Sequence, residues 1–129
     1  MQLNRDYEKR DKIIFGAYEP NKYFGGIRRF QRLSFDKVKE LIDNNFIDLD
    51  DAQNLAPTAN MFYSFLKKYP FYYVGGYVVS PDRYDYRISF DELERGSNAD
   101  IIVTPEEDSD FYSFAKNADE EFDYACWFD

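Results

Sequence analysis

The densest group of side chains that a fold could hold rigidly for chemistry is Asp82, Arg83, Asp85 and Arg87, just after the turn signal Ser80-Pro81. Carboxylates beside guanidiniums can bind a small polar ligand, and paired carboxylates can hydrolyse a glycoside without a histidine. The same pattern is also that of a turn residue followed by a solvent-facing strand pair. Absences narrow the field further: the chain has no histidine, and Cys126 is its single cysteine. Ser-His-Asp triads, Cys-His nucleophiles and ordinary zinc sites are thereby excluded. Asp48, Asp50 and Asp51 begin like a calcium loop, but the glycine and the closing glutamate of that loop are missing at their positions. Gly25-Gly26 with Arg28, Arg29 and Arg32 forms the most basic patch and has neither phosphate-binding glycine spacing. The expectation is no catalytic residue, no metal and no cofactor.

Charge points to the other end of the chain. Residues 96–129 hold ten acidic side chains against Lys116 alone and so carry the whole formal net charge of −9, while residues 1–95 balance. The same stretch holds Phe111, Tyr112, Phe114, Phe122, Tyr124, Trp127 and Phe128. A disordered acidic tail is poor in aromatics, so this segment is expected to fold. Glu106, Glu107 and Asp108 would open a helix, where the dipole favours acid. Asp119, Glu120, Glu121 and Asp123 follow that helix and have no such local reason. The sequence therefore suggests a non-enzymatic interaction module that presents Glu106, Glu107, Asp110, Asp119, Glu120, Glu121 and Asp123 to a basic protein partner. Its sharpest form is DNA mimicry, with carboxylates on one face standing in for phosphates. Direct nucleic-acid binding is not expected, because that affinity comes from Lys and Arg. Two other readings stay open: a small-ligand or hydrolytic site at residues 80–87, and self-association of Arg28, Arg29 and Arg32 with the acidic end of a second copy.

These residues must be positioned by a modest set of elements. Phe35, Val38, Leu41, Ile42 and Phe46 follow Ser34 at helical spacing, and Ala59, Phe62, Phe65, Leu66 and Tyr69 follow Thr58 in the same way. Thr104-Pro105-Glu106-Glu107 reads as a capping box opening a third helix. Three helices are thus expected at about 34–45, 58–69 and 104–117. Residues 71–79 and 84–90 are β-rich around the turn Ser80–Arg83, and Tyr84, Tyr86, Ile88 and Phe90 alternate as a buried face. Ile101-Ile102-Val103 is a further strand candidate, and Tyr124–Phe128 a terminal strand or latch. Gly25-Gly26 is expected as a turn with solvated arginines. Residues 1–22 are expected as an N-terminal arm, with Ile13-Ile14-Phe15 as a short edge strand. The fold class is therefore α+β: residues 23–129 as one domain, three helices on a small, mainly antiparallel sheet centred on a hairpin at about 72–90.

The chain is 129 residues long, with no apolar run of the roughly 20 residues that cross a bilayer. No membrane role is expected, and the lone cysteine fits a reducing, cytoplasmic setting. Four stretches, YFGGIRRFQRL at 23–33, NLAPTANMFYSFLKKYP at 54–70, VVSPDRYDYRISFDELE at 78–94 and FYSFAKNADEEFDYACWFD at 111–129, together resemble uncharacterised small acidic proteins of gut-type Gram-positive bacteria. Such proteins are often mobile-element cargo. The resemblance implies a bacterial cytosolic protein and brings no catalytic residues with it.

Overall fold

A computed structural model describes residues 2–97, 99 and 101–129; Asp100, counted above with the acidic end, lies outside them. Among the described residues the architecture is α+β. Four α-helices, α1 (Tyr7–Phe15), α2 (Phe35–Asp43), α3 (Ala59–Lys68) and α4 (Pro105–Ala115), accompany five strands. The strands are β1 (Ile27–Leu33), β2 (Tyr72–Val79), β3 (Ile88–Arg95), β4 (Glu120–Phe122) and β5 (Ala125–Trp127). They form one antiparallel sheet in the order β1-β2-β3-β5-β4.

The helices α2, α3 and α4 stand where periodicity and caps place them. Ser34, Thr58 and Thr104 each accept a hydrogen bond from the amide three residues on, at Lys37, Met61 and Glu107. The fourth helix corrects the expectation for the first 22 residues. Ile13-Ile14-Phe15 is not a strand but the end of α1, capped by Asp6 and closed by Gly16 at φ +88. Nor does that helix hang loosely, because its inward residues Arg10 and Asp11 are fully buried. Arg10 donates to Asp11, to the Val79 carbonyl and to the Tyr23 hydroxyl, and Tyr23 donates to Asp11. An ion pair takes the place of the apolar stripe that would have marked the helix.

Two further corrections concern the sheet. Residues 27–33 form β1 rather than a loop of solvated arginines, entered through a tight turn with Gly25 and Gly26 at φ +62 and +81. Its alternation is masked by an irregularity between Phe30 and Leu33, where Arg32 adopts φ +56. The 72–90 hairpin is present as β2–β3, but β3 begins only at Ile88 and residues 80–87 form the loop. Tyr84, expected inside, is 99% exposed, whereas Tyr86, Ile88 and Phe90 are buried. Ile101–Val103 is no strand either, and Ile101 and Ile102 are exposed. The edges of β3 are taken by β2 and β5.

The helix-covered side of the sheet presents Phe30, Leu33, Val74, Val78, Ile88, Phe90, Leu93 and Cys126 to the core. Phe62 of α3 is the hub, with its ring 5.6 Å from Phe90, 5.0 Å from Phe114 and 6.1 Å from Phe128. The pairs with Phe114 and Phe128 are edge-on, and such contacts add to burial by roughly 0.5–1.5 kcal/mol per pair. By strand alternation the opposite side carries Arg29, Tyr73, Glu92, Glu94 and Trp127, all at least partly exposed. On that side charges pair across β2: Arg29 holds Asp91 at 2.9 Å and Glu92 at 3.0 Å, and Arg32 holds Glu94 at 3.4 Å. Gly75 makes room for this, since a Cβ there would sit 3.0 Å from the Glu92 carboxylate.

Candidate functional site

The acidic residues of the C-terminal third divide into those the fold consumes and those it leaves free. Glu107 is only 2% exposed. Its carboxylate accepts from Arg95 Nε at 2.7 Å and from the Tyr72 hydroxyl at 2.9 Å. It therefore turns inward rather than back to close a capping box, and it is removed from the expected partner surface. The reason is positional: as third residue of α4 it points under the helix, onto the end of β3. Glu106 and Asp110, one turn apart on α4, share Lys68 of α3 at 2.7 Å each, and Asp110 also accepts from the Tyr69 hydroxyl at 2.6 Å. Those two bonds hold the Asp110 carboxyl below the usual carboxylate range. Asp108 accepts from the Tyr124 hydroxyl.

Asp119, Glu120, Glu121 and Asp123 are different. Asp119 immediately precedes β4, Glu120 and Glu121 lie on it and Asp123 in the turn after it; all are exposed, and among the described residues none makes a salt bridge. The turn holds Asp123 and Tyr124 at φ +45 and +59, the paired left-handed conformation of a two-residue hairpin. Asp tolerates that geometry, which gives Asp123 a backbone role its neighbours lack. Tyr124 is locked from the other side, its ring 5.1 Å from Phe111 and its hydroxyl on Asp108. The hairpin is thus fixed to α4 while its acids face solvent. Phe122 stands among them, 76% exposed.

Of the four residues expected as an alternative site, Arg83, Asp85 and Arg87 come together, mainly on one another, while Asp82 bonds Ser80. Arg83 donates to both oxygens of Asp85, at 2.9 and 2.7 Å, and Arg87 donates to Asp85 at 3.0 Å. Arg87 also reaches Ser89 and the Tyr77 hydroxyl, and Arg83 the Gly25 carbonyl. Partial burial works to raise the Asp85 pKa, but the two arginines prevail and hold it low. The Ser80 hydroxyl donates to Asp82 and lowers its pKa as well. A depressed, doubly bonded carboxylate is a poor proton acceptor, so this loop is built as a lock for the β2–β3 connection. The arginines of the basic patch are also engaged: Arg28 with Glu19 at 3.3 Å and over the Phe15 ring at 3.7 Å, and Arg29 and Arg32 with β3 as above. That leaves the self-association reading without free cations on β1.

A shallow concavity of about 150 Å³ lies where β3, β5 and β4 meet, lined by Glu92, Glu94, Glu120, Phe122, Ala125 and Trp127 among others. A separate groove of about 320 Å³ runs between α3 and α4 past Met61, Phe65 and Phe114 and ends at Lys68 and Asp110. The first was not visible in sequence, because it depends on β5 lying between β3 and β4. Among the described residues no group of three or more acidic or cysteine side chains could hold a metal ion, and no helix is long and apolar enough to cross a membrane. Compared with known proteins, the chain matches no family model, no curated protein and no solved structure.

Proposed function

We propose that the protein is a non-enzymatic interaction module whose acidic β4–β5 hairpin docks onto a basic protein partner. One observation carries this reading: Asp119, Glu120, Glu121 and Asp123 form a run of like charge that no salt bridge reaches among the described residues, while Glu107 is paired with Arg95 and Glu106 and Asp110 share Lys68. Unpaired like charges side by side cost stability, and apart from Asp123 in its turn, folding supplies no reason for them. The size of the patch favours a compact protein contact over DNA mimicry, which needs carboxylates spread along a duplex-length face. A bacterial, mobile-element setting, implied by the sequence resemblance, accommodates such a module.

The test compares three baits in nuclease-treated bacterial lysate. They are the wild-type chain, a hairpin variant (Asp119→Asn, Glu120→Gln, Glu121→Gln, Asp123→Asn) and a charge-matched variant (Glu8→Gln, Asp36→Asn, Glu40→Gln, Asp50→Asn). A basic protein retained by the first and third and lost by the second is the expected result. Equal retention by all three, or equal loss from both variants, would reduce the hairpin charge to a contribution to solubility.

A further inference from the structure

The concavity beside the acidic hairpin is lined by aromatic rings as well as acids. Strand register sets its walls in two rows across β3, β5 and β4. Glu92, Trp127 and Glu120 stand opposite one another in the first, and Glu94, Ala125 and Phe122 in the second. Ala125, the smallest of the six, leaves the floor low between an indole and a phenyl ring. At about 150 Å³ the space is well under the roughly 300–1,000 Å³ of pockets for drug-sized ligands; it is on the scale of one long side chain. Arg29 and Arg32 approach Glu92 and Glu94 from the β1 side, and Glu120 has no cation partner among the described residues.

We propose that this concavity receives one arginine side chain of the partner protein, its guanidinium stacked on Trp127 and Phe122 and its N–H fork directed to Glu120 and the β3 carboxylates. The proposal rests on the hairpin reading above and names the group the hairpin recognises. Arginine is favoured over lysine by chemistry: a planar, weakly hydrated cation stacks on an aromatic face and bonds a carboxylate with two parallel N–H groups, which an ammonium cannot do. A neutral ligand such as a sugar would make use of the rings but not of the surplus negative charge. Burial pushes the Glu92 pKa up, with Asp91 and Glu94 adding to the rise and Arg29 opposing it, so a further cation would relieve that carboxylate.

Trp127 is the only tryptophan of the chain and reports from the site itself. The test follows its indole N–H resonance during titration with a short peptide of glycines around one arginine, beside the lysine and citrulline versions. The expected result is a saturable shift with arginine, several-fold weaker binding with lysine and no saturation with neutral citrulline. Glu120→Gln and Phe122→Ser, both at exposed positions, should each weaken the arginine response several-fold while the rest of the spectrum keeps its native dispersion. An indole that ignores arginine, or follows citrulline equally, overturns the proposal. If that happens while the hairpin variant still loses its partner, the pocket fails and the docking reading stands; if the partner is retained as well, both fail.

Discussion

Glu107 and Glu121 are the same residue type in the same acidic third, and their surroundings give them opposite roles. Glu107 is enclosed by Arg95 and Tyr72, and removing one member of a buried pair leaves the other uncompensated. Glu107→Ala is therefore expected to lower unfolding free energy by about 3 kcal/mol in urea denaturation, whereas Glu121→Gln should stay within roughly 0.5 kcal/mol of wild type, as surface changes do. Cys126 belongs to the same scale. Burial, with the Glu121 charge adding to it, pushes its thiol up to about 12, so almost no thiolate exists at neutral pH. Labelling by a thiol reagent should be slow in the native protein and should rise with denaturant along the unfolding curve. Fast labelling under native conditions would mean that β5 opens on its own.

At the scale of elements, the close approach of β2 and β3 turns on Gly76. A Cβ there would lie 1.9 Å from the Ser89 carbonyl oxygen, beside the register shift at Gly75/Gly76. Gly76→Ala is expected to destabilise by about 3 kcal/mol, the upper part of the overpacking range, or to prevent folding. Thermal unfolding measures the difference, and a wild-type melting curve would contradict the register. The α1 helix makes an equally specific claim. Asp11→Ala leaves Arg10 buried without its carboxylate and should cost roughly 3–5 kcal/mol, a large effect for a segment that reads as a dispensable arm. The reason it reads so is physical. Helices α2, α3 and α4 advertise themselves through capping side chains and apolar spacing, and all three are legible. By contrast α1 buries an arginine and an aspartate, and β1 has arginines on its strand and an irregularity in its middle, so neither shows the period that sequence reading relies on. The site was legible in half measure for the same reason. Charge density marked the C-terminal third, but only tertiary pairing separates Glu107, Glu106 and Asp110 from the free acids of β4.

Across the described residues, arginines and acids pair over the open side of the sheet, and at one edge of it Asp119, Glu120, Glu121 and Asp123 form a consecutive group without a salt bridge. Many tyrosines are drawn into this pairing. Burial and the bond to Asp110 push Tyr69 up to about 12, and the bond to Asp108 with burial does the same for Tyr124. Tyr23 and Tyr72 are raised further, by burial first and then by Asp11 and Glu107. Unfolded tyrosines titrate near 10. The folded state therefore holds protons that the unfolded state gives up above about pH 10, so this contribution is intact below that pH and is lost as pH climbs through the folded values. Tyrosinate absorbance should accordingly keep rising above pH 10, with the contribution of these four rings coinciding with loss of structure. A single transition near 10 with the fold intact would contradict the bonds assigned here.

The most direct measurement of the central claim is the affinity of the captured partner for the hairpin variant and for the charge-matched variant, by calorimetry at one salt concentration. Exposed charge pairs contribute about 0.2–1 kcal/mol each, and tenfold in affinity is about 1.4 kcal/mol. Loss of the four hairpin acids should thus weaken binding by about tenfold or more, while the same charge removed elsewhere changes it by less than about threefold. Equal weakening in the two variants would show that the partner senses net charge alone, and that the β4–β5 hairpin is not its docking site.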